Sequence, residues 1–282
     1  LGHAVPVSQI AKRLLQEGHR VDIALGDLST VAAAFGALVE HPRLSVWQAP
    51  IWRLALLGAP EPASYAELLF QEGFLDPERI FPLVCGWHSL FEAIRPDLLL
   101  LEHAPTALLA SKAWPVRTAS FGPGFFIPPR TKPLPSFREW DRVPADRLLA
   151  AERRALETCN AILARLNAPP FQEFADLLRT DACWLLTWPE LDHFAELRQR
   201  SEVEYFGALP APAAPCPPFW PKGKGPRIFL YLKARYTALD EVVSGVIRSG
   251  CRVCAYVPGI TEEQVHRYAH PAIHLCLERV DM

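Results

Sequence analysis

Short apolar runs with no polar alternation recur along this chain, and helical stretches separate them. The clearest is Leu98–Leu101, four leucines in a row. A strand with one wetted face alternates apolar and polar side chains. A strand apolar throughout is buried on both faces, as parallel strands under helices are. Strands alternating with helices therefore predict an α/β fold built on doubly wound parallel sheet.

The opening GHAVPVSQIAKRLLQEGHRVDIAL is the clearest single unit. Val7, Ile10, Ala11, Leu14 and Leu15 recur at helical spacing, which predicts an amphipathic helix over about 5–16. Gly18 supplies its stop and RVDIAL a following strand, half of a βαβ unit. A helix over 30–39 and a strand over 44–48 continue the alternation. The stretch 50–82 mixes Pro, Trp and Leu, with helical character near 65–71, and reads either as a substrate-side insertion or as packed loops. HSLFEAIRPDLLLLEHAPTALLASKAWPVRTASFGPGFF then reads as helix, Pro-Asp break, strand, helix of small residues and a strand over 117–121. A charged helix over 147–166 follows.

The segment LPAPAAPCPPFWPKGKGP suits neither helix nor central strand and reads as an interdomain linker. RIFLYL, TALDEVVSGVIRSG and CRVCAYV beyond it start a fresh strand-helix-strand order. The expected organisation is a first domain over 1–210, a linker over 211–225 and the beginning of a second domain over 226–282. The opening straight into a Gly-His turn reads as lacking a preceding strand, and the second domain as cut short.

Composition narrows the function. Of 282 residues, 50% are apolar and 21% charged, with a formal net charge of −2. The arginines are scattered, which argues against nucleic acid as a partner. Seven cysteines stand at irregular spacing. The one C-x-x-C, Cys251 and Cys254, falls in a strand-like run, where buried thiols in a reducing cytoplasm are expected before a redox or metal site. No metal site is expected. No stretch is apolar enough for a transmembrane segment, and the opening lacks the pattern of a signal peptide, so a cytoplasmic location is the expectation.

Four segments, in order, carry a resemblance to a known family. They are the GHAVPVSQIAKRLLQEGHRVDIAL opening; RPDLLLLEHAPTALLASKAWPVRTASFGPGF; WLLTWPELDHFAELRQRSEVEYFGALP; and RIFLYLKARYTALDEVVSGVIRSGCRVCAYVPG. Together they resemble the nucleotide-sugar glycosyltransferases of GT-B fold, glycosyltransferase family 1, which includes the macrolide and plant secondary-metabolite enzymes. The late His-Gly-Gly…Glu segment of that family does not occur here. The resemblance implies two Rossmann-like domains, the second incomplete, and an inverting transferase of the hexosyltransferase kind. It would move a hexose from a UDP- or dTDP-sugar to a hydroxyl of a small, largely apolar acceptor, in bacterial secondary metabolism. No cofactor is implied beyond the nucleotide-sugar co-substrate. The chain by itself is expected to be inactive. Rival readings are a GT-B nucleotide-sugar hydrolase or epimerase and a non-catalytic partner of a transferase.

Such a transfer needs a base for the acceptor hydroxyl, and neutral histidine has the right range. His3 follows a glycine just before a helix and matches the family's base; the bland reading is a turn residue capping that helix. Its usual Asp partner is here Glu102, one methylene longer, a departure that puts the pairing in doubt. His103 lines the acceptor pocket or is a satisfied loop histidine. Gly122, Gly124, Phe125 and Phe126 follow a strand end and read equally as an acceptor wall or as a tight turn with core rings. Lys233 and Arg235, where relatives carry small residues, read as partners of the donor diphosphate or as exposed charges. Gly207 lets two lobes approach or is an ordinary turn glycine.

Overall fold

The computed structural model describes residues 2–52, 61–138, 140–199, 201–209 and 216–281. The chain divides into two compact units, Leu1–Leu209 and Pro210–Met282. In the first, α1 (Ala4–Gln16) buries Ala4, Ser8, Ala11 and Leu15, the face that its apolar spacing predicts. It packs over β1 (Val21–Leu25), which pairs in parallel with β2 (Leu44–Gln48).

The expected helix over 30–39 is broken. A 3-10 turn leads into α2 (Val31–Phe35), and Gly36 at φ 50° turns the chain into a second 3-10 segment, Gly36–Glu40. The stretch 50–82 holds more regular structure than its composition suggests, although its part over 53–60 lies outside the described residues. Ser64 caps α3 (Tyr65–Phe70) by accepting from the Glu67 amide. Asp76 caps α4 (Pro77–Ile94) by accepting from the Glu78 amide. Pro82 stands inside α4 on its exposed side, where water can satisfy the carbonyl a proline leaves unbonded. The opposite face of α4 buries Ile80, Val84, Trp87 and Phe91.

Beyond α4 run β3 (Leu98–Leu101), α5 (Pro105–Ser111), β4 (Arg117–Gly122), α6 (Ala145–Arg165), β5 (Ala182–Leu185) and β6 (Glu204–Tyr205). The strands form one parallel sheet in the order β3-β4-β5-β6. Every residue of α5 is buried, as its small apolar side chains allow. The main core of this unit joins α3, α4, α5 and α6 through residues such as Leu69, Val84, Leu109, Ala155 and Ile162.

The second unit is a parallel sheet of β7 (Arg227–Tyr231), β8 (Arg252–Tyr256) and β9 (Ile273–Cys276), with α7 (Leu239–Arg248) and α8 (Glu262–Arg267) between the strands. Leu239, Val243, Val253, Ala255 and Tyr268 make its core. Within the proline-rich stretch, Cys216 bridges Val280, and the Trp220 indole donates to the Ile228 carbonyl at 3.2 Å. These residues thus pack as part of the second unit; residues 210–215 lie outside the described residues. Cys254 is fully buried, with its Sγ 3.6 Å from that of Cys276. Burial pushes the Cys276 thiol up to about 12, as expected of inert core cysteines.

Candidate functional site

Parallel strands deliver their loops to one sheet edge, and ligands of open α/β sheets bind there. Leu101 pairs with Ser120 in the β3–β4 register, so Glu102 and Gly122 leave adjacent strand ends side by side. His3 stands at the N-cap of α1, with its own backbone in the helical region and no capping bond from its side chain. The imidazole is committed elsewhere. Its Nδ1 lies 2.9 Å from Oε1 and 2.8 Å from Oε2 of Glu102, across 99 residues of sequence. The Glu102 side chain is 6% exposed and the His3 side chain 52%. An ionised carboxylate only accepts, so Nδ1 carries the proton and donates, which leaves Nε2 as the basic nitrogen. The extra methylene of Glu102 is accommodated, with both carboxylate oxygens turned to one N–H.

His103 follows at φ 39°, a left-handed conformation that few non-glycine residues adopt. The turn carries its ring onto Phe126, with centroids 4.1 Å apart and planes at 29°. The His3 ring lies 5.8 Å from His103 and 5.2 Å from Phe126. His3, Glu102, His103 and Phe126 thus form one cluster. Gly122 adjoins it, since a Cβ built there would stand 3.5 Å from Glu102 Oε1.

The other expected residues are placed differently. Phe125 turns away from His3 and stacks on Phe137 at 4.2 Å, with His193 at 5.7 Å. Gly124 serves packing: a Cβ there would fall 2.0 Å from Asp192 Oδ1. Gly207, at φ 73°, receives the Trp188 indole, whose Nε1 would be 3.0 Å from an added Cβ; that local fit accounts for the glycine. Lys233 and Arg235 are exposed on the loop after β7, which backbone bonds tie down: Ala234 N–H donates to Pro258 O and Tyr236 N–H to Lys233 O. Among the described residues neither cation pairs with a carboxylate.

Two groups of residues escaped the sequence reading. One is Asp192 with Arg198, the ion pair against Gly124. The other is Tyr65 and Ser120, which share a pocket with His103 and Phe126. Tyr65 shows itself in sequence only as one more apolar position of a short helix, and Ser120 only as a strand residue. Among the described residues no group of three or more His, Cys, Asp or Glu side chains is placed to hold a metal ion, and no helix is long and apolar enough to cross a membrane.

No protein-family profile and no curated protein sequence matches the chain. Solved structures do. The glycotransferase of kitacinnamycin aligns over 97% of this chain and 67% of its own, with a TM-score of 0.63 at 16% identity. The calicheamicin glycosyltransferase aligns over 98% and 66%, with a TM-score of 0.62 at 15% identity. A Streptomyces glycosyltransferase complexed with thymidine diphosphate aligns over 96% and 67%, with a TM-score of 0.54 at 15% identity. The chain thus spans about two thirds of the length of these proteins. It has the GT-B fold that these glycosyltransferases share, with its second Rossmann-like domain incomplete relative to theirs.

Proposed function

We propose that this chain carries the acceptor-activating half of an inverting glycosyltransferase, with His3 as general base and Glu102 as its orienting partner. One observation carries the reading: both oxygens of a buried carboxylate meet the same imidazole nitrogen, His3 Nδ1, at a parallel-strand edge. In the reaction, His3 Nε2 takes the proton of an acceptor hydroxyl as that oxygen attacks the anomeric carbon. The bond to the nucleoside diphosphate breaks on the opposite face, so the configuration inverts. Glu102 fixes the tautomer and stabilises the imidazolium that forms.

The donor is a UDP- or dTDP-hexose acting as co-substrate, and the scheme calls for no further cofactor. A thymidine diphosphate complex of a protein of this fold supports the choice of donor class. Lys233 and Arg235, exposed and without carboxylate partners among the described residues, are the proposed partners of the diphosphate. The ring cluster beside His3 suits a small, largely apolar acceptor.

The test is turnover with UDP-glucose and dTDP-glucose against a panel of phenols, measured on this chain joined to a complete donor domain, since the chain alone is expected to be inactive. His3→Ala is expected to lower kcat by about 10²–10⁴-fold, the usual worth of a positioned base. Glu102→Gln, which keeps shape and loses charge, should lower it by about tenfold or more. Turnover indifferent to His3 defeats the proposal. Release of free sugar with no acceptor product would make the protein a hydrolase instead.

A further inference from the structure

Beneath the His103–Phe126 stack lies a narrow pocket, walled by Leu101 and Leu108 and carrying two hydroxyl side chains, Tyr65 and Ser120. Tyr65 is 2% exposed and Ser120 7%. Neither hydroxyl makes a hydrogen bond among the described residues, and neither is sealed off as a buried unpartnered atom, so both are accessible from the pocket they line. Both residues are fixed by the fold. Tyr65 opens α3 directly after the capping Ser64, and Ser120 is held in β4 by its register with Leu101 and Cys183. Burial pushes the Tyr65 phenol well above its usual range, and the charges of Glu72 and Glu102 add to this. The hydroxyl is therefore a standing O–H donor at neutral pH. The pocket has room for little more than one water-sized group, so a bulky saturated skeleton is excluded.

We propose that this pocket is a second recognition point for the acceptor, in which Tyr65 and Ser120 bind a neutral oxygen substituent, a carbonyl above all. A carbonyl oxygen has two lone pairs and takes one O–H from each residue. A carboxylate is disfavoured because the buried Glu102 stands nearby. The geometry then selects flat acceptors with two oxygens at opposite ends. One is the hydroxyl presented to His3; the other reaches past the Phe126 ring, which borders both His3 and the pocket. This inference rests on the proposed transfer reaction for the identity of its ligand, but it is tested by binding.

The probes are 4-hydroxyacetophenone and 4-isopropylphenol, near-isosteric phenols with and without the carbonyl, titrated calorimetrically into the full chain. The wild type should bind the ketone about tenfold more tightly, the scale of one to two buried hydrogen bonds. Tyr65→Phe and Ser120→Ala, each removing one oxygen, should narrow that preference to about threefold or less. Equal binding of the two phenols, no binding of either, or a preference unchanged in both variants overturns the proposal and leaves the hydroxyls to a structural water. A ketone preference that depends on Tyr65, found together with turnover indifferent to His3, would keep the pocket and discard the transfer reaction. The converse pair of results would do the reverse.

Discussion

Asp192 and Arg198 hold the loop that carries Phe126. Their side chains are 0% and 3% exposed. The Asp192 carboxylate accepts from the Arg198 guanidinium, from Tyr205 Oη at 2.7 Å and from the Phe194 amide at 3.2 Å. Arg198 Nη2 in turn donates to the Gly124 carbonyl at 3.0 Å. Burial alone would raise the Asp192 carboxyl, and the bonds from Arg198 and Tyr205 more than offset it, holding it below the usual carboxylate range. Asp192→Asn keeps the shape and leaves a buried guanidinium without its counter-charge. A loss of about 3–5 kcal/mol in stability by urea unfolding is expected; a loss below about 1 kcal/mol would place the pair in the surface class. At this scale the sequence was legible where a residue has a local signature. His3 follows a glycine before a helix, and Glu102 ends an apolar strand. Gly124 is conspicuous in sequence, but Asp192, which leaves no room for a side chain there, approaches from far along the chain. Phe125 and Phe126 are adjacent and chemically alike, and only packing separates the ring stacked on Phe137 from the ring beside His3.

Elements built on period and punctuation were readable: α1, β3, α6 and β8 lie within a residue or two of their expected spans. α4 is legible only in its second half, because Pro77 and Pro82 mark a break unless Asp76 is recognised as the cap that puts Pro77 in the first turn. The wholly buried α5 ends at Lys112, whose ammonium donates to the Arg179 carbonyl and so ties α5 to the loop before β5. Burial brings the Lys112 ammonium down to about 8, with Asp176 and Asp181 opposing that shift. Since the unfolded value is 10.5, the unfolded chain binds a proton between pH 8 and 10.5 that the folded chain has shed. Stability from this group is therefore fully present above the unfolded value and is lost as pH falls through 8, by up to about 3 kcal/mol. Lys112→Met removes the titration. The stability of wild type minus that of the variant should rise between pH 7 and pH 9.5, read from guanidinium midpoints. Parallel profiles would mean that the ammonium is as well solvated folded as unfolded. The thiol of Cys183, raised to about 11 by burial, titrates in both proteins and cancels in the difference.

At the scale of the whole molecule the His3–Glu102 cluster lies within Leu1–Leu209, and Lys233 and Arg235 lie within Pro210–Met282. The second unit rests on a three-stranded sheet and a small core, and small cores leave little margin. Val253 is fully buried in β8 between Ile228 and Ile273. Val253→Ala removes two methyl groups from that core and should cost about 2 kcal/mol. If the two units are separate folding domains, hydrogen exchange in the variant will accelerate in the amides of β7, β8 and β9 and stay as slow as in wild type in those of β3, β4 and β5. The functional consequence follows the same division. Phenol binding, which the first unit is proposed to carry, should be unchanged, whereas turnover of the chain joined to a complete donor domain should fall because the loop after β7 holds the proposed donor contacts. Exchange that accelerates equally in both sheets would mean that the chain unfolds as one cooperative body. Phenol binding that falls with Val253 would then show the acceptor site depending on a core it does not contain.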